Sequence, residues 1–123
     1  MKVLFIEYPK CSTCQKAKKW LEENRISYID RHIVNDNPTK AELSEWIKKS
    51  GIELKKLFNT SGMIYRQMQL KDKLPQMTFD EQLDLLASNG MLVKRPLIIG
   101  DDFVLAGFRE KQWTEKFLQN VQQ

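Results

Sequence analysis

A chain of 123 residues, 41% hydrophobic and 29% charged, has the size and composition of one globular domain (1–123) with its own core. No apolar run nears the ~20 residues of a membrane span. The start, Met1-Lys2-Val3-Leu4-Phe5-Ile6-Glu7, meets an acidic residue where a secretion signal stays apolar. The net charge of +4 comes without a like-charge block, a basic arm or basic–aromatic interleaving, which argues against direct nucleic-acid binding.

Lys2 to Tyr8 reads as a strand, with β-formers at Val3, Leu4, Phe5 and Ile6, and Pro9 stops it by removing a ladder donor. From Ser12 the pattern turns helical. Cys14, Ala17, Trp20 and Leu21 share an apolar face, while Lys16, Lys18, Lys19, Glu22 and Glu23 take the other. Cys11 thus falls at the mouth of a strand-to-helix turn, where unpaired N–H groups and the helix dipole stabilise an anion. A helix N-terminus with nearby cations, here Lys10 and Lys16, lowers a thiol from about 8.5 to roughly 3.5–7.5. Cys14 lies one turn on, so its sulfur can point at Cys11. A nucleophilic thiolate with a resolving partner is what thiol–disulfide exchange requires. Two cysteines and one remote histidine fall short of a structural zinc set, and no metal is expected. A cysteine pair without a secretion signal points to a reducing compartment, the cytoplasm.

Asn24 closes the first helix, and Ser27 to Val34 reads as a second strand, completing a βαβ unit with parallel strands. Asn35-Asp36-Asn37-Pro38 is a turn cluster. The capping box Thr39-Lys40-Ala41-Glu42 then opens a helix that carries Leu43, Trp46 and Ile47 and ends at Gly51. Leu54 to Gln69 suggests two short helical pieces broken near Thr60-Ser61-Gly62. A second capping box, Thr78-Phe79-Asp80-Glu81, starts a helix burying Phe79, Leu83 and Leu86 and closed by Asn89-Gly90. Pro96 to Ile99 is a short strand, Gly100-Asp101-Asp102 a hairpin turn and Phe103 to Ala106 its return. A last helix from about Glu110 carries Trp113, Phe117, Leu118 and Val121. The order is βαβ, a helical insert over about 39–90, then ββα: an α/β chain with a mixed sheet.

With these elements placed, the sequence resembles the ArsC/Spx family over nearly its whole length. The carriers are Tyr8-Pro9-Lys10-Cys11-Ser12-Thr13-Cys14 with Lys16-Ala17-Lys18-Lys19-Trp20-Leu21, then Leu57-Phe58-Asn59-Thr60-Ser61-Gly62, Tyr65-Arg66, and Lys94-Arg95-Pro96-Leu97-Ile98-Ile99. The resemblance implies a thioredoxin-like (glutaredoxin-like) fold with a mixed four-stranded sheet. It also implies a thiol-dependent, arsenate-reductase-like oxidoreductase that acts on an oxyanion or a disulfide. No bound cofactor is implied. Electrons would come from glutathione with glutaredoxin, or from thioredoxin, which are then its protein partners. In the arsenate-reducing members one cysteine attacks the oxyanion and three arginines neutralise the adduct. The cysteine carries over to Cys11, one arginine to Arg95, and Pro96 to the family's cis-proline. The other two arginine positions fall loosely on Asn59 and Gly107, with Arg109 two residues on, and those reductases generally lack a cysteine at the Cys14 position. Catalysis is therefore expected of Cys11, Cys14 and Arg95, and substrate or anion binding of Lys10, Ser12, Arg66, Pro96 and Arg109. The Spx branch offers the alternative, a redox-sensing regulator whose Cys11–Cys14 disulfide controls binding to the RNA polymerase α subunit.

Other residues read as structural. Trp20, Trp46 and Trp113 fall on apolar helical faces, and Met63, Met68 and Met77 read as gap-fillers of the insert. His32, at the end of the second strand, reads as structural or solvated.

Overall fold

The computed structural model describes residues 2–118. Its centre is β1 (Lys2–Glu7), parallel to β2 (Ser27–His32) and antiparallel to β3 (Leu97–Ile99). β3 in turn pairs antiparallel with β4 (Val104–Ala106), so the four strands lie in the order β2-β1-β3-β4.

Strand alternation sorts the apolar side chains into two layers. Val3 and Phe5 of β1, Ile98 of β3 and Leu105 of β4 meet Ala17, Trp20 and Leu21 of α1 (Ser12–Glu23) and Trp113 of α6 (Glu110–Phe117). Ile6, Leu97, Ile99 and Val104 face the opposite way. They pack with Leu43 and Trp46 of α2 (Lys40–Ser50) and Leu83 and Leu86 of α5 (Phe79–Ser88). Burying each such large side chain contributes about 1.5–3 kcal/mol. Glu7 shares the parity of Val3 and Phe5, so it too points inward, and it is only 2% exposed.

Both capping boxes form. The Glu42 and Glu81 N–H groups donate to Thr39 and Thr78 Oγ1, and each glutamate carboxylate accepts the threonine's own N–H. Gly51 closes α2 at φ +74°, a left-handed conformation that favours glycine. The two pieces expected within Leu54 to Gln69 are a 3₁₀ turn (Leu54–Leu57) and α3 (Met63–Gln67), broken over Phe58 to Gly62. The insert also holds α4 (Leu70–Lys73) and 3₁₀ turns at Leu74–Gln76 and Gly90–Leu92, which carry no amphipathic period long enough to read. A short ladder returns the insert to the sheet: Asn59 N–H donates to Leu92 O at 2.8 Å and Lys94 N–H to Leu57 O at 2.7 Å. That ladder holds the Asn59–Gly62 loop beside the entry to β3.

Two side chains depart from expectation. Phe79, the first residue of α5, is 52% exposed rather than buried, and Met63, the first residue of α3, is 67% exposed rather than filling a gap. Each lies in the opening turn of its helix, off the stripe that meets the core. β2 stops at His32, two residues early, because His32 Nδ1 accepts the N–H groups of Val34 and Asn35 and turns the chain away. That makes His32 structural. Val121 lies outside the described residues.

The turn after β2 is fixed by Arg31, whose guanidinium forks onto Glu42 at 2.8 Å and also donates to the Asp36 and Asn37 carbonyls. Hydrogen bonding from Arg31, against some desolvation, holds the Glu42 carboxyl down at about 2, where an unfolded glutamate sits near 4.5. A depressed folded value means stability that is complete above pH 4.5 and lost as pH falls toward 2. Glu42→Gln keeps the cap and loses the charge, so its urea midpoint should fall below wild type at neutral pH, and that gap should close by about pH 2. A gap that persists undiminished in acid would show that the ion pair contributes nothing.

Candidate active site

The chain leaves β1 at Glu7, turns at Tyr8-Pro9-Lys10 with Cys11 N–H donating to Tyr8 O at 2.9 Å, and enters α1 at Ser12. Cys11 is the residue capping α1, in extended conformation, and its carbonyl accepts the first helical bond, from Gln15 N–H at 3.1 Å. No side-chain oxygen caps this helix, so its first amide groups are left to the Cys11 sulfur. Burial opposes ionisation of the Cys11 thiol. It is outweighed by hydrogen bonds from the Cys14 N–H, the Cys14 thiol and the Thr13 N–H, and by the positive charge of Arg95, so the thiol titrates below its ordinary range. Cys14, fully buried one turn along, goes the other way. Desolvation dominates, the neighbouring Cys11 and Glu7 add to it against a bond from the Tyr8 backbone, and its thiol is pushed up to about 12. Both thiols are free.

Arg95 reaches this corner through the Arg95–Pro96 peptide, which is cis, as the sequence resemblance implies. Its guanidinium lies 5.2 Å from the centroid of the Tyr8 ring and donates to Met91 O at 3.4 Å. Cys11 and Thr13 open onto a cleft of about 1070 Å³ lined by the starts of α1 and α3, the Asn59–Gly62 loop, the entry to β3 and the segment after β4. Its lining contains Lys55, Lys56, Arg66, Lys94, Arg95 and Arg109 but no carboxylate. Lys55 is offset by Glu53 at 3.4 Å; the other five have no ion-pair partner among the described residues.

The structure brings Cys11, Arg66, Arg95 and Arg109 together around this cleft, with Cys14 buried behind Cys11. Lys10, Ser12 and Pro96 do not line it: the first two are exposed and Pro96 is buried. Asn59 and Gly107 both do, so these two positions line the same cleft as Cys11. At Gly107 the backbone is at φ +80°, and a Cβ there would meet Lys94 Cε at 3.0 Å, so a side chain of another type would be strained and crowded. Sequence reasoning passed over Thr13 and Lys94 as site residues. The available signals were a position inside the cysteine motif for Thr13 and a basic residue directly before Arg95 for Lys94.

A mixed four-stranded sheet with helices on both faces and a closely spaced cysteine pair at the first strand-to-helix turn defines a thioredoxin-like protein. The model of the ArsC family matches residues 6–116, and the chain belongs to that family. It is 53% identical over 117 residues to the uncharacterized protein YusI of Bacillus subtilis, covering 95% of this chain and 99% of that one. Among solved structures it resembles a Bacteroides fragilis protein described as ArsC family related (TM-score 0.89, 58% identity, 94% of this chain and 97% of the other). It also resembles a possible arsenate reductase from Streptococcus mutans (TM-score 0.84, 44% identity, 94% and 98%). More distantly, it is 28% identical to the global transcriptional regulator Spx of Staphylococcus epidermidis, over 85% of this chain and 78% of that one.

The electrostatics make the two thiols unequal. Near neutral pH an alkylating agent should modify Cys11 alone, and Cys11→Ser should be inert. Arg95→Ala should shift the alkylation-versus-pH curve of Cys11 upward, since a charge that favours the thiolate has gone. An unmoved curve would remove Arg95 from the site, and equal labelling of both thiols would contradict the asymmetry.

Proposed function

We propose that this protein is a thiol-dependent oxidoreductase that reduces an anionic substrate, with Cys11 as nucleophile and Cys14 as resolving thiol. The observation that carries the reading is a stabilised thiolate at the mouth of a cleft lined by six cations and no carboxylate, five of the six without an ion-pair partner among the described residues. Like charges crowded without counter-charges repel, and a bound anion removes that cost. Family membership and the CxxC spacing support thiol–redox chemistry of this kind.

With a disulfide substrate the Cys11 thiolate attacks one sulfur, forms a mixed disulfide and expels the other sulfur as a thiolate. Cys14 then attacks Cys11 Sγ, closes the Cys11–Cys14 disulfide and releases the second thiolate. Two electrons leave the cysteine pair, and an external thiol donor, glutathione with glutaredoxin or thioredoxin, returns them. Arg95 holds the Cys11 thiolate ready, while Arg66, Arg109 and Lys94 attract the substrate's negative groups. Arsenate is the poorer substrate in this reading. Asn59 and Gly107 lack the charge-assisted donors that the arsenate-reducing pattern places there, and such bonds are worth about 1.5–3 kcal/mol each. Lys94, whose Nζ is 3.8 Å from where a Gly107 Cβ would stand, returns part of that charge.

A second reading is a redox sensor that binds the RNA polymerase α subunit when the pair is oxidised. It is favoured by the similarity to proteins named Spx regulators.

The two separate by turnover. NADPH consumption through glutathione/glutaredoxin or thioredoxin should rise above background with a small anionic disulfide, be slower with arsenate, and vanish in Cys11→Ser. No turnover of either substrate, with polymerase bound only by the oxidised protein, would replace the enzyme by the sensor.

A further inference from the structure

Arg95 stands at the active-site corner with few of the contacts that usually fix an arginine. It makes no ion pair among the described residues, and its one hydrogen bond there, to Met91 O, is long at 3.4 Å. What lies against it is the face of the Tyr8 ring, with the guanidinium carbon 5.2 Å from the centroid. The negative face of an aromatic ring attracts a cation at that range. Tyr8 is itself braced. Its ring meets that of His32 edge to face at 5.8 Å, with 87° between the planes. His32 is fixed in turn by the Val34 and Asn35 N–H groups that donate to its Nδ1. Tyr8 also joins the thiol's own segment, since its carbonyl accepts the Cys11 N–H at 2.9 Å. One residue thus contacts Cys11 through its backbone and Arg95 through its ring.

We propose that Tyr8 is a positioning residue of this site, whose ring holds the Arg95 guanidinium at the Cys11 corner of the cleft. The inference rests on the role given to Arg95 in the proposed reaction and says what keeps that charge in place. Burial opposes the Cys11 thiolate, and the Cys14 and Thr13 donors that favour it come with the start of α1. Arg95 arrives instead from the segment before β3, so its contribution depends on being held there. It shares the cleft with Arg66, Lys94 and Arg109, like charges that repel it, and no carboxylate lines the cleft to draw it back. A carboxylate partner would fix the guanidinium but also neutralise it. An aromatic face fixes it and leaves the full positive charge to act on the thiolate and on an anionic substrate.

The test grades the ring and reads the thiol, as the rate of Cys11 alkylation by iodoacetamide against pH. Tyr8→Phe keeps the face that meets Arg95, so its curve should overlie that of wild type. Trifluorinated phenylalanine at position 8 keeps the shape of the ring but strips the negative charge from its face. Its midpoint should move upward, in the direction of Arg95→Ala, and its rate on the acid side should fall about two- to fivefold. Once Arg95 is gone the ring has nothing to hold, so the fluorinated ring combined with Arg95→Ala should match Arg95→Ala alone. A ring that matters only for packing would give the same curve with and without fluorine, and that result would overturn the proposal. So would a fluorine shift that adds in full to that of Arg95→Ala, which marks an effect on the thiol that bypasses the guanidinium. An unmoved curve in Arg95→Ala would defeat the role of Arg95 and the proposal with it. The graded shift without any disulfide turnover would defeat the proposed reaction and leave Tyr8 standing as the anchor of Arg95.

Discussion

The unpaired amide groups at the start of α1 are the constraint around which the site is arranged. A helix that begins without a side-chain oxygen as cap leaves donors that need an acceptor, and here the nearest acceptor is the Cys11 sulfur. β1 lies at the middle of the sheet, flanked on both sides, so the turn from Glu7 to Ser12 is held from beneath. The cis peptide before β3 carries Arg95 to the same corner, against Tyr8. The ladder from the insert brings the Asn59–Gly62 loop to the opposite wall of the cleft.

Two residues of sequence, Ser12 and Thr13, separate two thiols with opposite tendencies. Cys11 stands where amides and a guanidinium outweigh burial; Cys14 has turned into the layer beneath α1, where burial wins. In the proposed exchange that difference sets the order of events, since the more acidic and more accessible sulfur attacks first. The cleft is costly to the fold, because five of its six cations have no ion-pair partner among the described residues. Elsewhere the chain is consistent at every level: two apolar layers, two capping boxes, the Arg31–Glu42 fork, and Lys40 bridging α2 to Asp80 and Asp84 of α5.

Much of this was legible in the sequence because its local signals are strong. The β-former run before Pro9, the two Thr-x-x-Glu boxes and Gly51 each name a chain reversal or a helix end by a mechanism that needs no tertiary partner. The cysteine spacing pointed to the first strand-to-helix turn as the candidate site, and the parallel β1–β2 pair followed from strand–helix–strand order. The insert was less legible. Its pieces, α3, α4 and the 3₁₀ turns, run three to five residues, too short for a periodicity to develop, and they are shaped by what they pack against. Met63 and Phe79, apolar residues in the first turn of their helices, read as core and proved exposed because they lie off the stripe that meets the core. Around the cleft, Lys94 depends on chain segments remote in sequence meeting, whereas Thr13 lies inside the cysteine motif itself.

The central claim is the division of labour between the two thiols, and trapping tests it most directly. Cys14→Ser treated with a small anionic disulfide should carry one stable substrate adduct, on Cys11, by peptide mass spectrometry. Wild type treated identically should carry no adduct and instead have lost two hydrogens to a Cys11–Cys14 disulfide. An adduct that persists on wild-type Cys11, or none on Cys14→Ser, would contradict the account.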